Sequence, residues 1–402
     1  MSAQLPADIS AATVEELSER RDEPAWLRER RMEALEAVED LPFPEVIHTP
    51  GRQWTNLGDL DFESLVDPLA QREAKELEAP ETVTALSFAE ALDAHEDRVR
   101  EAFGSVVDPL ENRLTALSTA LFTTGTVIIV PDGVDAEDVK IRTTMADRSL
   151  FNYTLVITGT SSSVNVLERQ ASTGAGDGDR YYSGIVEVAA GENSQVQYGA
   201  LQDFDERTYN YTLKRAVTAP YATATFIEGN LGSKLTKTEV GTELAGDGSE
   251  TKIVGAFFGH DDQHFDLDAK VWHQAENTTA DLVTRGVIDD RARSVYEGVQ
   301  DVGQDAWNTS SYQRENTLML SDESEADASP KLVINNHDTE ASHSATVGQI
   351  DAEDLFYMTS RGVAPEAARN MLVEGFFVPV LEEIEVEELR DELADGIVAR
   401  LH

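Results

Sequence analysis

The sequence predicts a mainly β protein whose strand-rich middle is flanked by helical regions. Residues 116–347 are rich in Thr, Val, Tyr and Ile, which alternate in short runs separated by Gly, Asn and Asp. Pro220 is the only proline between Pro131 and Pro330, as expected of strands whose backbone N–H groups are used in sheet ladders. No long helical pattern interrupts this region, which argues against alternating strands and helices. The pattern fits a sandwich or a solenoid of stacked short strands, and no fixed sequence period decides between them.

The N-terminal region, residues 1–115, is predicted to be helical with loop breaks. Apolar residues at helical spacings predict a helix over residues 13–40. The Leu-Pro-Phe-Pro run at 41–44 ends this helix, because a proline disfavours helical angles in the residue before it. A further helix is predicted over residues 88–103, where Gly104 ends it.

The middle region contains seven runs with strong strand character. They are residues 126–130, 153–158, 163–167, 185–188, 195–198, 222–227 and 252–258. Two further segments are predicted to be loops because of their Ser, Gly and acidic composition, namely residues 171–180 and 321–330.

Residues 348–402 are predicted to return to helix. Asp351 can cap a first helix that ends at Gly362, and Pro365 can open a second. The apolar stripe expected on the second helix consists of Ala368, Met371, Leu372, Gly375 and Phe376. A last helix has a charged face opposite an apolar face made of Val386, Leu389, Leu393, Ile397 and Leu401.

The charge of the chain excludes some classes of partner. Its 402 residues include 76 acidic and 32 basic ones, a formal net charge of −44, which excludes binding of nucleic acid or an anionic membrane through a general electrostatic field. At about 1 M salt the screening length falls to about 3 Å, so repulsion among these carboxylates largely disappears. Residues 1–10 carry no basic segment followed by an apolar one, and no apolar run approaches the roughly 20 residues of a membrane span. The composition therefore predicts a cytoplasmic protein of a high-salt environment.

The motifs that would indicate common enzyme chemistry are missing from the sequence. The chain has no cysteine, which excludes disulfides, thiolate metal sites and cysteine nucleophiles for this chain acting alone. Segment 229–234 has the wrong spacing for a phosphate loop, and no serine lies in a G-x-S-x-G elbow. The adjacent acids Asp261 and Asp262, or Asp289 and Asp290, allow the acid and base of a polysaccharide-active enzyme, but such neighbours are expected by chance in so acidic a chain.

Histidines are scarce, so their positions carry information. His260 and His264 are four residues apart, a spacing that brings two ligands together on a helix but leaves them about 13 Å apart on a strand. His343 lies among small residues in the segment 341–348, where strand character gives way to helix. Its imidazole is expected to be exposed and suits iron or zinc. A structural or merely exposed histidine is the alternative that these residues leave open.

From about Gly255 to Phe377 the chain resembles the SufB/SufD family of iron–sulfur cluster assembly proteins. The matching positions are 262–266, His273, 296–298, 318–321, 330–334, 342–348, 355–362 and 366–377. The H-x-A-T-x-G element that begins at His343 and the F-Y-x-x-S-R-G element that begins at Phe356 are specific in combination. Segments 23–31, 41–44 and 125–131 also resemble the family, so the resemblance spans nearly the whole chain.

Within the family the chain is similar to the SufD subunit, because the SufB subunit supplies cysteine and this chain has none. The resemblance implies a right-handed parallel β-helix over residues 116–347, between an N-terminal helical region (1–115) and a C-terminal helical domain (348–402). It implies a non-catalytic scaffold that pairs with SufB through the β-helices and binds the SufC ATPase through its C-terminal helices. The residues expected to dock SufC are Phe356, Tyr357, Arg361, Leu372 and Phe376.

The resemblance also implies a role for one histidine. His343 takes the position of a family histidine that acts with SufB where the nascent cluster forms. Some members have cysteine two residues earlier, where this chain has Ala341, and many have glycine next to it, where this chain has Ser344. The expected contribution is therefore an imidazole for iron or a transient cluster shared with SufB, and no cofactor is expected to bind stably to this chain alone. A purely structural homodimeric solenoid is the alternative, because the strand edge that meets SufB can meet its own copy.

Overall fold

A parallel β-helix flanked by helices forms the architecture of the protein, as predicted. The computed structural model describes residues 9–49, 52–69, 73–174 and 178–401. The helices are α1 (Ala11–Arg20), α2 (Ala25–Ala37), α3 (Phe62–Leu65), α4 (Phe88–Ala102), α5 (Arg113–Leu121), α6 (Ala352–Ser360), α7 (Pro365–Leu381) and α8 (Glu387–Val398), with a 3-10 turn at Leu57–Asp59. None of these helices is long and apolar enough to cross a membrane.

Strands account for most of the middle of the chain. They are β1 (His48–Thr49), β2 (Arg52–Gln53), β3 (Glu73–Glu78), β4 (Thr84–Ser87), β5 (Thr124–Val130), β6 (Val139–Met145), β7 (Ser149–Thr158), β8 (Ser163–Ser172), β9 (Arg180–Ala190), β10 (Gln195–Asp203), β11 (Thr208–Thr218), β12 (Thr223–Asn230), β13 (Leu235–Leu244), β14 (Glu250–Gly259), β15 (His264–His273), β16 (Thr279–Ile288), β17 (Arg293–Val302), β18 (Thr309–Met319), β19 (Glu325–Ile334) and β20 (Thr339–Gln349). Each of the seven predicted runs overlaps a strand.

Successive strands from β5 to β20 alternate between two sheets, so each pair of strands makes one turn of the β-helix. The odd-numbered strands form one sheet, which ends at β4, and the even-numbered strands form the other, which ends at β3. Within these two sheets neighbouring strands are parallel, except where β3 meets β6 and β4 meets β5. Strands β1 and β2 form a separate antiparallel pair. Among the described residues, eight turns stack in this way with no helix between β5 and β20. This topology selects the solenoid over the sandwich.

The turns between strands explain why Asn and Asp punctuate the sequence. Asn193, Asn277 and Asn308 adopt φ angles of 56, 59 and 55° at such turns. Asn and Asp tolerate this left-handed region better than most other residues. Their placement therefore permits the tight reversals that separate one sheet from the other.

The space between the two sheets, the lumen, is packed mainly with apolar side chains. Val156, Val186, Phe226 and Ile253 are buried in one contiguous cluster there. Residues next to these along each strand point outward, as the twofold alternation of a strand requires. On the odd sheet this outer face carries buried rings such as Tyr153, which pack against the N-terminal helices.

The N-terminal helices differ from the single helix predicted over residues 13–40. That prediction is wrong, because Asp22 has a φ angle of 51° and Pro24 precedes α2, so α1 and α2 are separate. The break places Glu23 in a buried ion pair with Arg31, whose Nη2 lies 2.7 Å from the Glu23 Oε1 atom. Arg31 Nη1 also donates to the carbonyl of Ala120 at 3.1 Å, which ties α2 to α5.

The C-terminal helices fold back over the outer face of the even sheet, with α7 against β14 and β16 and α8 against β10. Asp351 caps α6 as predicted, accepting a hydrogen bond from the Glu353 N–H at 2.7 Å. The stripe predicted on α7 is partly wrong, since Met371 is 54 % exposed. The buried residues of α7 are Ala368, Asn370, Val373, Phe377 and Val380, whereas Leu389, Leu393 and Ile397 of α8 are buried as predicted.

The acidic segment 321–330 is not a loop throughout, because β19 begins at Glu325. Residues 325–334 pair in parallel register with β17. The ladder hydrogen bonds with β17 hold this segment as a strand. Its acidic side chains stay in contact with solvent because they belong to the last turn. The loop prediction is therefore wrong for the second half of the segment.

Candidate functional site

The last turn of the β-helix, formed by β19 and β20, has no further turn stacked on it within the described residues and is called the open end. Each of its strands pairs with a strand of the preceding turn on one side. The effect on burial is visible in one column of the odd sheet. Val302 is fully buried, and Ile334, its register partner in the next turn, is 41 % exposed. The open end therefore presents apolar side chains and strand edges that are able to pair with another chain.

His343 lies on the lumen face of this open end. It is in register with Gln313 of β18, and the same column continues through Leu282 and Ile253, which are buried in the lumen core. His343 itself is exposed, and the residues beside it are small. Ala341 and Ala345 share its face of the strand, because side chains two residues apart point the same way. The imidazole is thus accessible from the end of the solenoid.

The lumen just inside His343 contains polar side chains that the sequence analysis did not identify. Gln313 and Glu315 on β18 and Tyr296 on β17 are all buried. Glu315 Oε1 accepts a hydrogen bond from the Thr317 hydroxyl at 2.5 Å, and burial raises the pKa of Glu315 to about 7. The alternation of Gln313, Glu315 and Thr317 on one strand was the available signal, since such residues share one face.

Two other histidines have closed environments. The His264 Nε2 atom lies 2.7 Å from the Thr55 hydroxyl, and the His273 Nδ1 atom lies 2.8 Å from the Thr278 hydroxyl. Burial lowers the pKa of each imidazole to about 4, so both rings are neutral at pH 7. His264 and His273 thus have structural surroundings, unlike His343.

The pairs of acids considered for polysaccharide chemistry are exposed or engaged with arginine. Asp262 forms a bidentate ion pair with Arg291, with contacts of 2.7 and 2.8 Å, and Asp289 lies 3.1 Å from the Arg369 Nη2 atom. Asp261 lies beside His260, whose Nδ1 atom is 2.9 Å from an Asp261 carboxylate oxygen and 3.7 Å from Glu206. No feature of the described residues places two free carboxylates across a substrate groove.

Lysine and carboxylate side chains are also buried, and they pair with one another. Lys214 Nζ lies 2.7 Å from both Glu228 carboxylate oxygens. On the outer face of the odd sheet, Lys237 Nζ lies 2.8 Å from Asp266 and 2.9 Å from Asp268. Buried charges require partners of this kind, so these groups stabilise the packing of the strands and are not free to bind a ligand.

The residues predicted to dock an ATPase are divided between two environments. Phe356 on α6 is 72 % exposed, and Tyr357 beside it is stacked against Arg361, whose guanidinium carbon lies 5.0 Å from the ring centre. Leu372 is half-buried. Phe376 is also half-buried, with its ring under the Arg285 guanidinium at 4.9 Å and against the core between α7 and the even sheet. The structure thus places Phe356, Tyr357 and Arg361 on one exposed surface.

Comparison with known proteins shows similarity along nearly the whole chain. The family model for the SUF system FeS cluster assembly SufBD core domain matches residues 141–376, and the model for the SufBD protein N-terminal region matches residues 62–141. The iron–sulfur cluster assembly protein SufD of Bacillus subtilis (strain 168) is 29 % identical, with 94 % of this chain and 95 % of that protein covered. SufB of the same organism is 28 % identical, covering 94 % and 90 %. An iron–sulfur cluster assembly SufBD family protein of Staphylococcus epidermidis (strain ATCC 12228 / FDA PCI 1200) is 27 % identical, covering 93 % and 89 %.

Proposed function

The chain belongs to the SufB/SufD family of iron–sulfur cluster assembly proteins, and we propose that it is the cysteine-free scaffold subunit of SufD type. The chain is about equally identical to the SufD and SufB relatives, so identity does not distinguish the two subunit types. The chemistry of the available ligands does. Clusters are held mainly by thiolates, with imidazole as an occasional substitute. A chain that has an accessible His343 and no cysteine can contribute only part of such a site.

The observation that carries this proposal is the position of His343 on the lumen face of the open end. The open end has unpaired strand edges and exposed apolar residues, including Val333 and Ile334. A second β-helix with the same kind of edge, supplied by a SufB-like paralogue, can pair with it and bring thiolates next to the imidazole. The iron or transient cluster is then cargo shared by the two chains, and the scaffold itself carries out no catalysis.

A SufC-type ATPase is the second proposed partner. The exposed rings of Phe356 and Tyr357 lie on α6, the first of the C-terminal helices. Exposed aromatic side chains of this size mark surfaces that other proteins cover. Docking at α6 would use side chains other than the strand edges that we propose for the paralogue.

The test of the proposed function is the variant His343→Ala in a complex purified without oxygen together with the paralogue and the ATPase. We expect iron and sulfide per complex to fall, because one ligand is lost, while the melting temperature of this subunit is unchanged because His343 is exposed. His337→Ala is the matched control, since His337 is an exposed histidine in the turn between β19 and β20. Unchanged iron content in His343→Ala, or cluster assembly by this chain alone, would contradict the proposal.

A further inference from the structure

Unpartnered polar atoms are concentrated in the lumen one turn inward from the open end. The Glu315 Oε2 atom has no hydrogen-bond partner in the structure, and the Gln313 amide and the Tyr296 hydroxyl form no well-aligned hydrogen bond, although Tyr296 lies next to Gln313 and Thr284. All three side chains are at most 3 % exposed. Folded proteins rarely leave such atoms unpaired, and a group of them in one place indicates a bound water or ion.

The three side chains converge from both sheets. Gln313 and Glu315 are two residues apart on β18 and therefore point to the same side, and Tyr296 faces them from β17. Gly298 makes room for the amide, because a Cβ atom at this position would lie 1.6 Å from Gln313 Nε2. The bond from Thr317 holds one oxygen of Glu315 and leaves the other directed away from it.

In the last turn, small side chains follow Tyr296 and Glu315 in register, and His343 follows Gln313. In the last turn Ala328 is in register with Tyr296, and Ala345 is in register with Glu315. Ala345 is exposed and Ala328 is half-buried. Between the open end and the Glu315 carboxylate, an ion would therefore pass the methyl groups of these alanines. This path runs beside the His343 imidazole.

We propose that Glu315, Gln313 and Tyr296 bind a divalent metal cation in the lumen, one turn inward from His343. Carboxylate, amide and phenol oxygens are hard donors that suit ions such as Mn²⁺ and Mg²⁺ and also accept iron(II). The proposal rests on the proposed function only for the identity of the natural ion, because cluster assembly consumes iron. The site would hold that iron next to the imidazole before a cluster forms.

The test is a titration of the isolated full-length chain with Mn²⁺ in about 1 M KCl, followed by the electron paramagnetic resonance signal of the free ion. The salt suppresses diffuse binding to surface carboxylates. We expect the wild-type chain to bind one Mn²⁺ tightly and Glu315→Gln to bind it at least about tenfold more weakly. Glu340→Gln is the matched control, because it removes the same charge from an exposed position on β20.

The outcomes separate a cation site from its alternatives. If the wild type and Glu315→Gln bind Mn²⁺ with equal affinity, the lumen holds water only. If Glu315→Gln and Glu340→Gln lose Mn²⁺ affinity equally, the ion is attracted by diffuse charge. Either result overturns the proposal. Gln313→Leu, which keeps the volume and removes the amide oxygen, gives a second reading if Glu315→Gln does not fold. Mn²⁺ binding needs neither sulfide nor a partner, so its failure is distinct from a failure of the His343→Ala assembly test.

Discussion

Three histidines on β15 and β20 have different surroundings, and these surroundings set their chemistry. His264 and His273 each contact a threonine hydroxyl, and burial keeps both rings neutral. His343 occupies a lumen-facing position like that of His273, but it lies in the last turn, where no following strand covers it. The same residue type is thus structural in the interior of the solenoid and accessible at its end.

His273 should make the stability of the protein depend on pH. Its pKa is lowered to about 4 in the folded state, chiefly by burial, against about 6.5 in the unfolded chain. Because only the unfolded state binds the proton between these values, the contribution is present above pH 6.5 and is lost as the pH falls toward 4. From pH 7 to pH 5 this loss amounts to about 2 kcal/mol of the free energy of unfolding.

The measurement is urea unfolding of the wild type and His273→Gln at both pH values. We expect the decrease in unfolding free energy between pH 7 and pH 5 to be smaller in the variant. His337→Gln, at an exposed histidine, is the control. Its unfolding free energy should decrease between pH 7 and pH 5 by as much as that of the wild type. The same pH dependence in His273→Gln and the wild type would contradict the assignment.

At the scale of elements, a glycine on β10 sets how closely α8 approaches the even sheet. A Cβ atom on Gly199 would lie 2.2 Å from the Leu389 Cδ2 atom. Leu389 is buried between α8 and the sheet with Leu201 and Ile227. The missing side chain is therefore a packing requirement of the C-terminal helices.

Replacement of Gly199 by Val should displace α8. We expect a loss of about 1–3 kcal/mol in the free energy of unfolding, typical of overpacking, together with faster proteolysis of the C-terminal helices. Gly375→Ala is the control, because nothing lies near its added methyl group and alanine favours the helix. A variant Gly199→Val as stable as the wild type would show that α8 adjusts freely.

Helix α6 should carry the ATPase contact. Phe356→Asp is expected to abolish co-purification of the ATPase without loss of stability, because the ring is exposed. Phe376→Asp is also expected to abolish co-purification of the ATPase. Because this ring packs against the even sheet as well, the loss would combine an effect on docking with an effect on folding. Val333→Asp at the open end is the control and should keep the ATPase. Full binding by Phe356→Asp would place the docking surface elsewhere.

At the scale of the whole molecule, acidic residues are spread along the chain and outnumber basic ones 76 to 32, for a net charge of −44. We infer that the folded state depends on high salt, because self-repulsion of this size opposes it when screening is weak. The urea midpoint should rise steadily as KCl increases from about 0.1 M to about 2 M. A midpoint that is constant or falls over this range would contradict the inference.

The sequence by itself determined the local features of this protein. Its composition and turn residues predicted the strands, Asp351 and Pro365 predicted helix starts, and small neighbours predicted the exposure of His343, because each depends on nearby residues. The lack of cysteine determined that this chain supplies no thiolate ligand.

The strand pattern alone left sandwich and solenoid open, and the family resemblance implied the solenoid. The tertiary structure confirmed it by showing that the partners of each strand come from neighbouring turns distant in sequence. It also decided which face of α7 is buried and that Gln313 and Glu315 meet Tyr296 inside the lumen, because these contacts follow from register between strands.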